Sequence, residues 1–437
     1  MTERVAVVGL WHLGCSITAA WLRLGKDVAA VEFDGRVARG LRAGQAPLFE
    51  PGVDEALSEG LARGVLRVSS DPEAIRGCPF VFVAHDTPVQ DDDSSDLTPI
   101  EEALRRIAPF LSAEAVVIVS AQLPVGTSRQ LRERLRAVAP TVELVYSPEN
   151  LRLGEALACY MRPGHIVIGA ESREAGDRVA ALFAPMQARI FRMNLPSAEM
   201  TKHCINSFLA TSVTLANQWA DLAGAMGADF RDIAAALRAD PRIGERAYVT
   251  PGIGFSGGTL GRDLKVLDRV SRERLDGAAP LFGEVWRYNQ DRVAVVARRA
   301  TALLGALAGR RVALLGMTYK PGTSTLRRSL SLAVARDLLG QGARVAAHDP
   351  RADWDEVKPP AGLVVAATPY AAAEEADLLV LLTEWPEYRD LDFARLARSA
   401  RQPLLLDTKG FLWAKAGELA AAGWKLLGLA DPGSAAA

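Results

Sequence analysis

Short uninterrupted apolar runs punctuate the first third of the chain, at Val5–Val8, Val28–Val31, Phe80–Val83, Val116–Val119 and Val142–Tyr146. Such runs, rich in branched residues, are the signature of strands buried on both faces. Amphipathic stretches of helical length separate several of them. Strands alternating with helices predict a parallel sheet covered by helices on both sides. Between about 197 and 239 the pattern changes: Ala, Leu and Met recur at helical spacing and no strand signal interrupts them. Ser197-Ala198-Glu199 is read as the start of a long helix there. A second alternating unit begins near Arg311, with strands expected at Val312–Leu315, Arg344–Ala347, Leu378–Leu382 and Leu404–Leu406. The expected domains are therefore 1–196 and 306–430, both built on sheets, and an all-helical 197–305 between them. A disordered tail is expected at 431–437.

The length of 437 residues exceeds what one core ordinarily holds, which agrees with several domains. Lys and Arg total 51 against 52 Asp and Glu, so the charge gives no general attraction to nucleic acid or anionic lipid. A local phosphate site stays open. Cys15, Cys78, Cys159 and Cys204 are scattered without metal-ligand spacing, which points to reduced thiols, no metal and a cytoplasmic protein. Met1-Thr2-Glu3-Arg4 runs straight into the first strand, so no signal peptide is expected. No apolar stretch is long enough for a bilayer.

The first strand leads into a dinucleotide fingerprint. Gly9 follows the strand, Gly14 falls inside the next helix, and Glu32 ends the second strand. A carboxylate there accepts from the adenine ribose hydroxyls and repels a 2′-phosphate, so NAD is preferred to NADP. The middle glycine of the fingerprint is replaced by Trp11. An indole at that position swings aside, shifts the dinucleotide or blocks it. The alternative reading is a Rossmann-like domain that no longer holds NAD.

Motifs in fixed order extend over some four hundred residues. They are Phe49-Glu50-Pro51-Gly52, Thr87-Pro88, Pro124-Val125-Gly126-Thr127 and Tyr146-Ser147-Pro148-Glu149-Asn150-Leu151-Arg152. Asp240-Pro241-Arg242-Ile243-Gly244, the loop 252–263, Tyr319-Lys320-Pro321-Gly322-Thr323 with Arg327, and Thr383-Glu384-Trp385 complete the set. Together they resemble the UDP-glucose/GDP-mannose dehydrogenase family. The resemblance implies two Rossmann-like doubly wound parallel-sheet domains joined by a central all-helical domain that makes a homodimer. It also implies NAD as cofactor and a nucleotide sugar, most naturally a UDP-sugar, as substrate. Cofactor contacts then fall to Gly9, Trp11, Gly14, Glu32, Thr87 and Thr127. Substrate contacts fall to Leu151, Arg242, Phe255, Gly257, Gly258, Lys320 and Arg327, the last two suited to a diphosphate.

By the same resemblance Lys202 and Asn206, one helical turn apart, hold the reacting oxygen and a water, with Lys202 stabilising developing negative charge. Glu149 is matched to late acid/base work, and Asp263 orients the lysine and accepts a proton. In isolation each has a bland alternative as a solvated lysine, helix asparagine or loop carboxylate. The family's covalent cysteine is replaced by Thr259, and the lysine beside Asp263 by Arg262. A thiolate both attacks an aldehyde and leaves from a thioester, whereas a threonine hydroxyl ionises with great difficulty. A two-electron oxidation is the leading expectation. The alternatives are an epimerase that oxidises its sugar transiently with bound NAD, and a non-catalytic paralogue that binds nucleotide sugars.

Overall fold

The computed structural model describes residues 4–87, 95–149, 151–256, 258–275 and 281–431. Pro88, Asn150 and Gly257 of the motifs above, and the expected tail apart from Asp431, lie outside them. The chain divides after Ile205 into two compact units.

In the first unit β1 (Arg4–Val8), β2 (Asp27–Val31), β3 (Leu66–Ser69) and β4 (Phe80–Val83) share a sheet with four more strands. These are β5 (Val116–Val119), β6 (Glu143–Tyr146), β7 (Ile166–Ala170) and β8 (Ile190–Met193). The order is β3-β2-β1-β4-β5-β6-β7-β8. All neighbours are parallel except β6 and β7, which pair antiparallel with Val145 opposite Ala170. Alternate residues of β1 serve opposite cores. Val5 and Val7 join Trp21, Phe82 and Phe183, whereas Ala6 and Val8 join Ile107 and Tyr146. Trp21 is fully buried, its ring 5.7 Å from those of Phe82 and Phe183. Such two-sided burial is what the continuous apolar runs specify.

The second unit holds an all-parallel sheet of β9 (Arg311–Leu315), β10 (Arg344–His348), β11 (Val364–Val365), β12 (Leu378–Leu381), β13 (Leu404–Asp407) and β14 (Lys425–Gly428). Its order is β11-β10-β9-β12-β13-β14. In each sheet the order reverses beside the first strand, between β1 and β4 and between β9 and β12. Ligands of open α/β sheets bind at that switch point, beyond the carboxyl ends of the strands.

The helical region opens with Leu195–Ala225, a helix of 31 residues. It starts two residues before the expected point because Asn194 Oδ1 accepts from Ser197 N at 2.9 Å and satisfies the first turn. Helices Phe230–Ala239, Thr259–Arg274, Leu281–Arg292 and Val295–Leu304 follow. Among the described residues no helix is long and apolar enough to cross a membrane.

Candidate active site

The turn after β1 is shaped by close approach. Gly9 has φ +87°, and a Cβ there would meet the His85 ring at 2.5 Å. A Cβ on Gly14 would lie 1.8 Å from the Gly9 carbonyl oxygen, so the helix His12–Arg23 presses directly on the turn. Glu32 Oε2 accepts from Leu10 N at 2.6 Å and Oε1 from Asp34 N at 2.8 Å. Each oxygen keeps a second acceptor direction for a ribose hydroxyl. His85 fills the space beneath Gly9. It stacks on Phe33 at 6.4 Å between ring centres, and the Arg106 guanidinium lies over the Phe33 ring at 3.5 Å. Burial holds the His85 imidazole below its usual pKa, against the opposing pull of the Glu32 carboxylate.

Trp11 precedes that helix with φ −81°, and no side chain caps the helix start. Its backbone needs no glycine conformation, so what the indole removes is room. Uncapped N–H groups at the start of a twelve-residue helix suit a pyrophosphate. With Glu32 and the two glycines in place, the turn fits the dinucleotide. We expect Trp11→Gly to tighten NAD binding by up to about tenfold, equivalent to ~1.4 kcal/mol. Calorimetry checks this, and weaker binding by the variant would make the indole a contact rather than an obstacle.

Two loops of the first unit meet the start of the long helix. Lys202, 6 % exposed, donates from Nζ to the backbone oxygen of Glu149. The Glu149 carboxylate turns back on its own loop to accept from Leu151 N. Thr127 is buried in the first turn of the helix Thr127–Val138, and Thr87 Oγ1 donates to Gln122 O at 2.9 Å. Two carboxylates to which the sequence gave no role hold these loops. Glu50 accepts from Gly154 N at 2.9 Å and Ala156 N at 2.7 Å, with His12 Nε2 2.8 Å away. Glu199 accepts from Gly126 N at 2.5 Å and Ser128 N at 2.6 Å.

In the second unit Asn206 Nδ2 donates to Asp263 Oδ2 at 2.6 Å, both side chains buried. Asp263 lies one turn after Thr259, which opens the helix Thr259–Arg274 and is exposed. The Thr259 hydroxyl makes no hydrogen bond among the described residues. The loop before it is fixed from several sides. Gly252 N donates to Asn217 Oδ1 at 2.7 Å, and Arg292 Nε to Gly252 O at 3.0 Å. Phe255 exchanges two backbone bonds with the Asn289 amide, at 2.8 and 3.0 Å. Gly254 has φ +106°, and a Cβ on it would strike Asn289 Oδ1 at 2.4 Å. The Phe255 ring packs with Ala210, Leu264 and Val285, and so anchors the loop instead of offering its face to a sugar. Asn217, Asn289 and Arg292 were not legible as loop anchors, because nothing in their local sequence marks a partner 34 to 40 positions away.

Arg328 also went unnoticed. It adopts the left-handed conformation at φ 53°, and its Nη1 would lie 2.8 Å from a Cβ on Gly258. Arg327 points elsewhere, its Nε 2.9 Å from Glu356 Oε1, and Lys320 sits on the same connection after β9. Arg242 is exposed and forks onto Asp240 at 3.0 and 2.7 Å, which holds the Asp240 carboxyl below its usual pKa. The turn after β9 repeats the first design. Gly316 has φ +90° with Thr383 where a Cβ would be, and Asp349 Oδ2 accepts from Met317 N at 2.7 Å. Here, however, the same oxygen also accepts from Thr318 N, Thr318 Oγ1 and Trp385 Nε1. That acid is consumed internally, so this turn is not a second dinucleotide site of the same kind.

Three domain models of the UDP-glucose/GDP-mannose dehydrogenase family match the chain: the NAD binding domain over residues 3–187, the central domain over 196–291 and the UDP binding domain over 313–414. A UDP-glucose 6-dehydrogenase of Rhizobium meliloti (strain 1021) is 33% identical over 416 residues, covering 93% of this chain and 95% of the relative. One from Pseudomonas aeruginosa is 32% identical over 421 residues, 92% of each. Among solved structures, a UDP-glucose dehydrogenase from the hyperthermophilic archaeon Pyrobaculum islandicum superposes with a TM-score of 0.87 at 30% identity. That match covers 99% of this chain and 98% of the other.

Proposed function

The chain belongs to the UDP-glucose/GDP-mannose dehydrogenase family, an NAD-dependent enzyme of nucleotide sugars, and we propose that it oxidises a UDP-sugar alcohol by two electrons and stops at the aldehyde. The carrying observation is Thr259: an exposed hydroxyl with no base bonded to it among the described residues stands where covalent chemistry needs a thiolate. NAD, when bound, supplies the hydride acceptor. The overall change is RCH2OH + NAD+ → RCHO + NADH + H+.

The chain's own residues do the rest. Lys202, its ammonium held on the Glu149 carbonyl, stabilises negative charge on the reacting oxygen. Asn206 positions that oxygen or a water, and Asp263, held by Asn206, takes up the proton. Lys320 and Arg327 supply positive charge for the diphosphate. UDP is favoured over GDP because the matching carboxyl-terminal domain model is a UDP binding domain. Mass spectrometry of a panel of UDP- and GDP-sugars incubated with NAD tests the reading. An aldehyde, or its hydrate, from a UDP-sugar is expected. Turnover of GDP-sugars alone, epimerised product without NADH, or binding without turnover would each overturn it.

A homodimer is part of the proposal. Phe208, Leu215 and Leu222 recur every seven residues on the long helix and are 73%, 40% and 61% exposed, with Met226 just beyond at 77%. A contiguous apolar stripe of this kind marks an interface. Phe208→Glu with Leu222→Glu is expected to give monomers in light scattering. A wild-type mass for the double variant would remove the stripe as the interface.

A further inference from the structure

Glu199 is fully buried, yet it carries a carboxylate, and both oxygens are spent on one short stretch of backbone. It accepts from Gly126 N at 2.5 Å and Ser128 N at 2.6 Å, at the start of the helix Thr127–Val138. That helix has no cap of its own, because its N-cap residue is Gly126 at φ +96°. An anion at a helix N-terminus is favoured, and charge-assisted bonds to backbone N–H groups are about twice as strong as neutral ones. One turn further along the long helix, a His203 ring nitrogen lies 3.0 Å from Leu123 O, in the same loop. Lys202, between them, donates to the Glu149 carbonyl. Residues 199, 202 and 203 thus bind the first turns of one helix to two loops that lie 53 to 80 positions away in sequence.

We propose that Glu199 is a positioning residue for the dehydrogenase reaction: it fixes the helix turn that carries Lys202 against the Pro124-Val125-Gly126-Thr127 loop. The ammonium of Lys202 is carried by that turn and meets the Glu149 carbonyl at its far end. A small rotation or slide of that turn moves it from the reacting oxygen, and misplacement by about 1 Å costs on the order of a hundredfold in rate. The proposal rests on the reading of Lys202 given above.

Glu199→Gln is the test. Its amide keeps one acceptor oxygen but turns an NH2 toward the second backbone N–H. The expected result is a kcat lower by roughly 10- to 100-fold with the sugar KM little changed. A larger deuterium isotope effect on kcat is also expected with sugar deuterated at the oxidised carbon, because hydride transfer becomes more rate-limiting. Loss of properly folded enzyme alone would lower kcat without moving the isotope effect, and that outcome overturns the proposal. Unchanged kcat overturns it as well. Should Glu199→Gln not fold, Glu199→Asp keeps the charge, withdraws the oxygens by one methylene and carries the same readouts. Lys202→Ala run alongside separates the two claims. Full activity in that variant defeats the reading of Lys202, whereas activity lost there but retained in Glu199→Gln defeats this inference alone.

Discussion

Lys202→Ala is expected to lower kcat roughly 100- to 1,000-fold, the usual effect of removing one preorganised donor to a developing oxyanion. NAD affinity should be unchanged, because the Lys202 ammonium is held at the Glu149 carbonyl, on a different loop from the Gly9–Gly14 turn. The magnitude follows from the setting of the side chain. Its ammonium is withdrawn from water and held on the Glu149 carbonyl, so its charge is little screened and already in place. The variant leaves that carbonyl without its lysine donor, at a stability cost of about 1–3 kcal/mol. Steady-state kinetics at a temperature well below the melting midpoint separate the two effects. Lys202→Arg should not rescue the rate, since a planar fork does not present the same point charge. A kcat within tenfold of wild type for Lys202→Ala would remove the lysine from the chemistry.

Thr259→Cys is expected to change what the enzyme makes rather than how fast it starts. Residue 259 is the first of a sixteen-residue helix, where the macrodipole favours a thiolate. The wild-type hydroxyl ionises with great difficulty and has no base bonded to it among the described residues. In the variant the thiolate adds to the aldehyde, and the resulting thiohemiacetal loses a second hydride to NAD. Water then hydrolyses the thioester to the carboxylate and releases the thiol. The readout is a second NADH per sugar and a uronic acid product. A variant that still forms one NADH and the aldehyde would show that the thiol is not the only missing element. Trp11 and Arg262 would then be the next residues to exchange.

Much of the fold was legible because interior strands announce themselves. β1, β2, β4, β5 and β6 in one sheet, and β9, β10, β12 and β13 in the other, follow from continuous apolar runs. The unread strands include all four sheet edges: β3, β8, β11 and β14. An edge strand shows polar or solvent-facing positions, such as Arg67 in β3 and Arg192 in β8, and loses the unbroken signature. β7 lies inside the sheet, but its branched run is cut short by Gly169-Ala170. Gly169 is required there, since a Cβ would meet that of Ala198 at 2.5 Å. For the site, motifs named the residues but not their supports. The pairing of Asn206 with Asp263 spans 57 positions, and that of Glu50 with Ala156 spans 106. No periodicity encodes such contacts. Thr259 was readable as a substitution, whereas its exposure at the start of a helix needed coordinates.

The most direct test of the account is the stoichiometry of NADH formed per UDP-sugar consumed by the unaltered enzyme, run to completion with the product weighed by mass spectrometry. One NADH and a product two mass units lighter than the substrate, or its hydrate, is the predicted result. Two NADH with a uronic acid would contradict it, and would mean that this chain completes a four-electron oxidation with threonine in the place of the thiol.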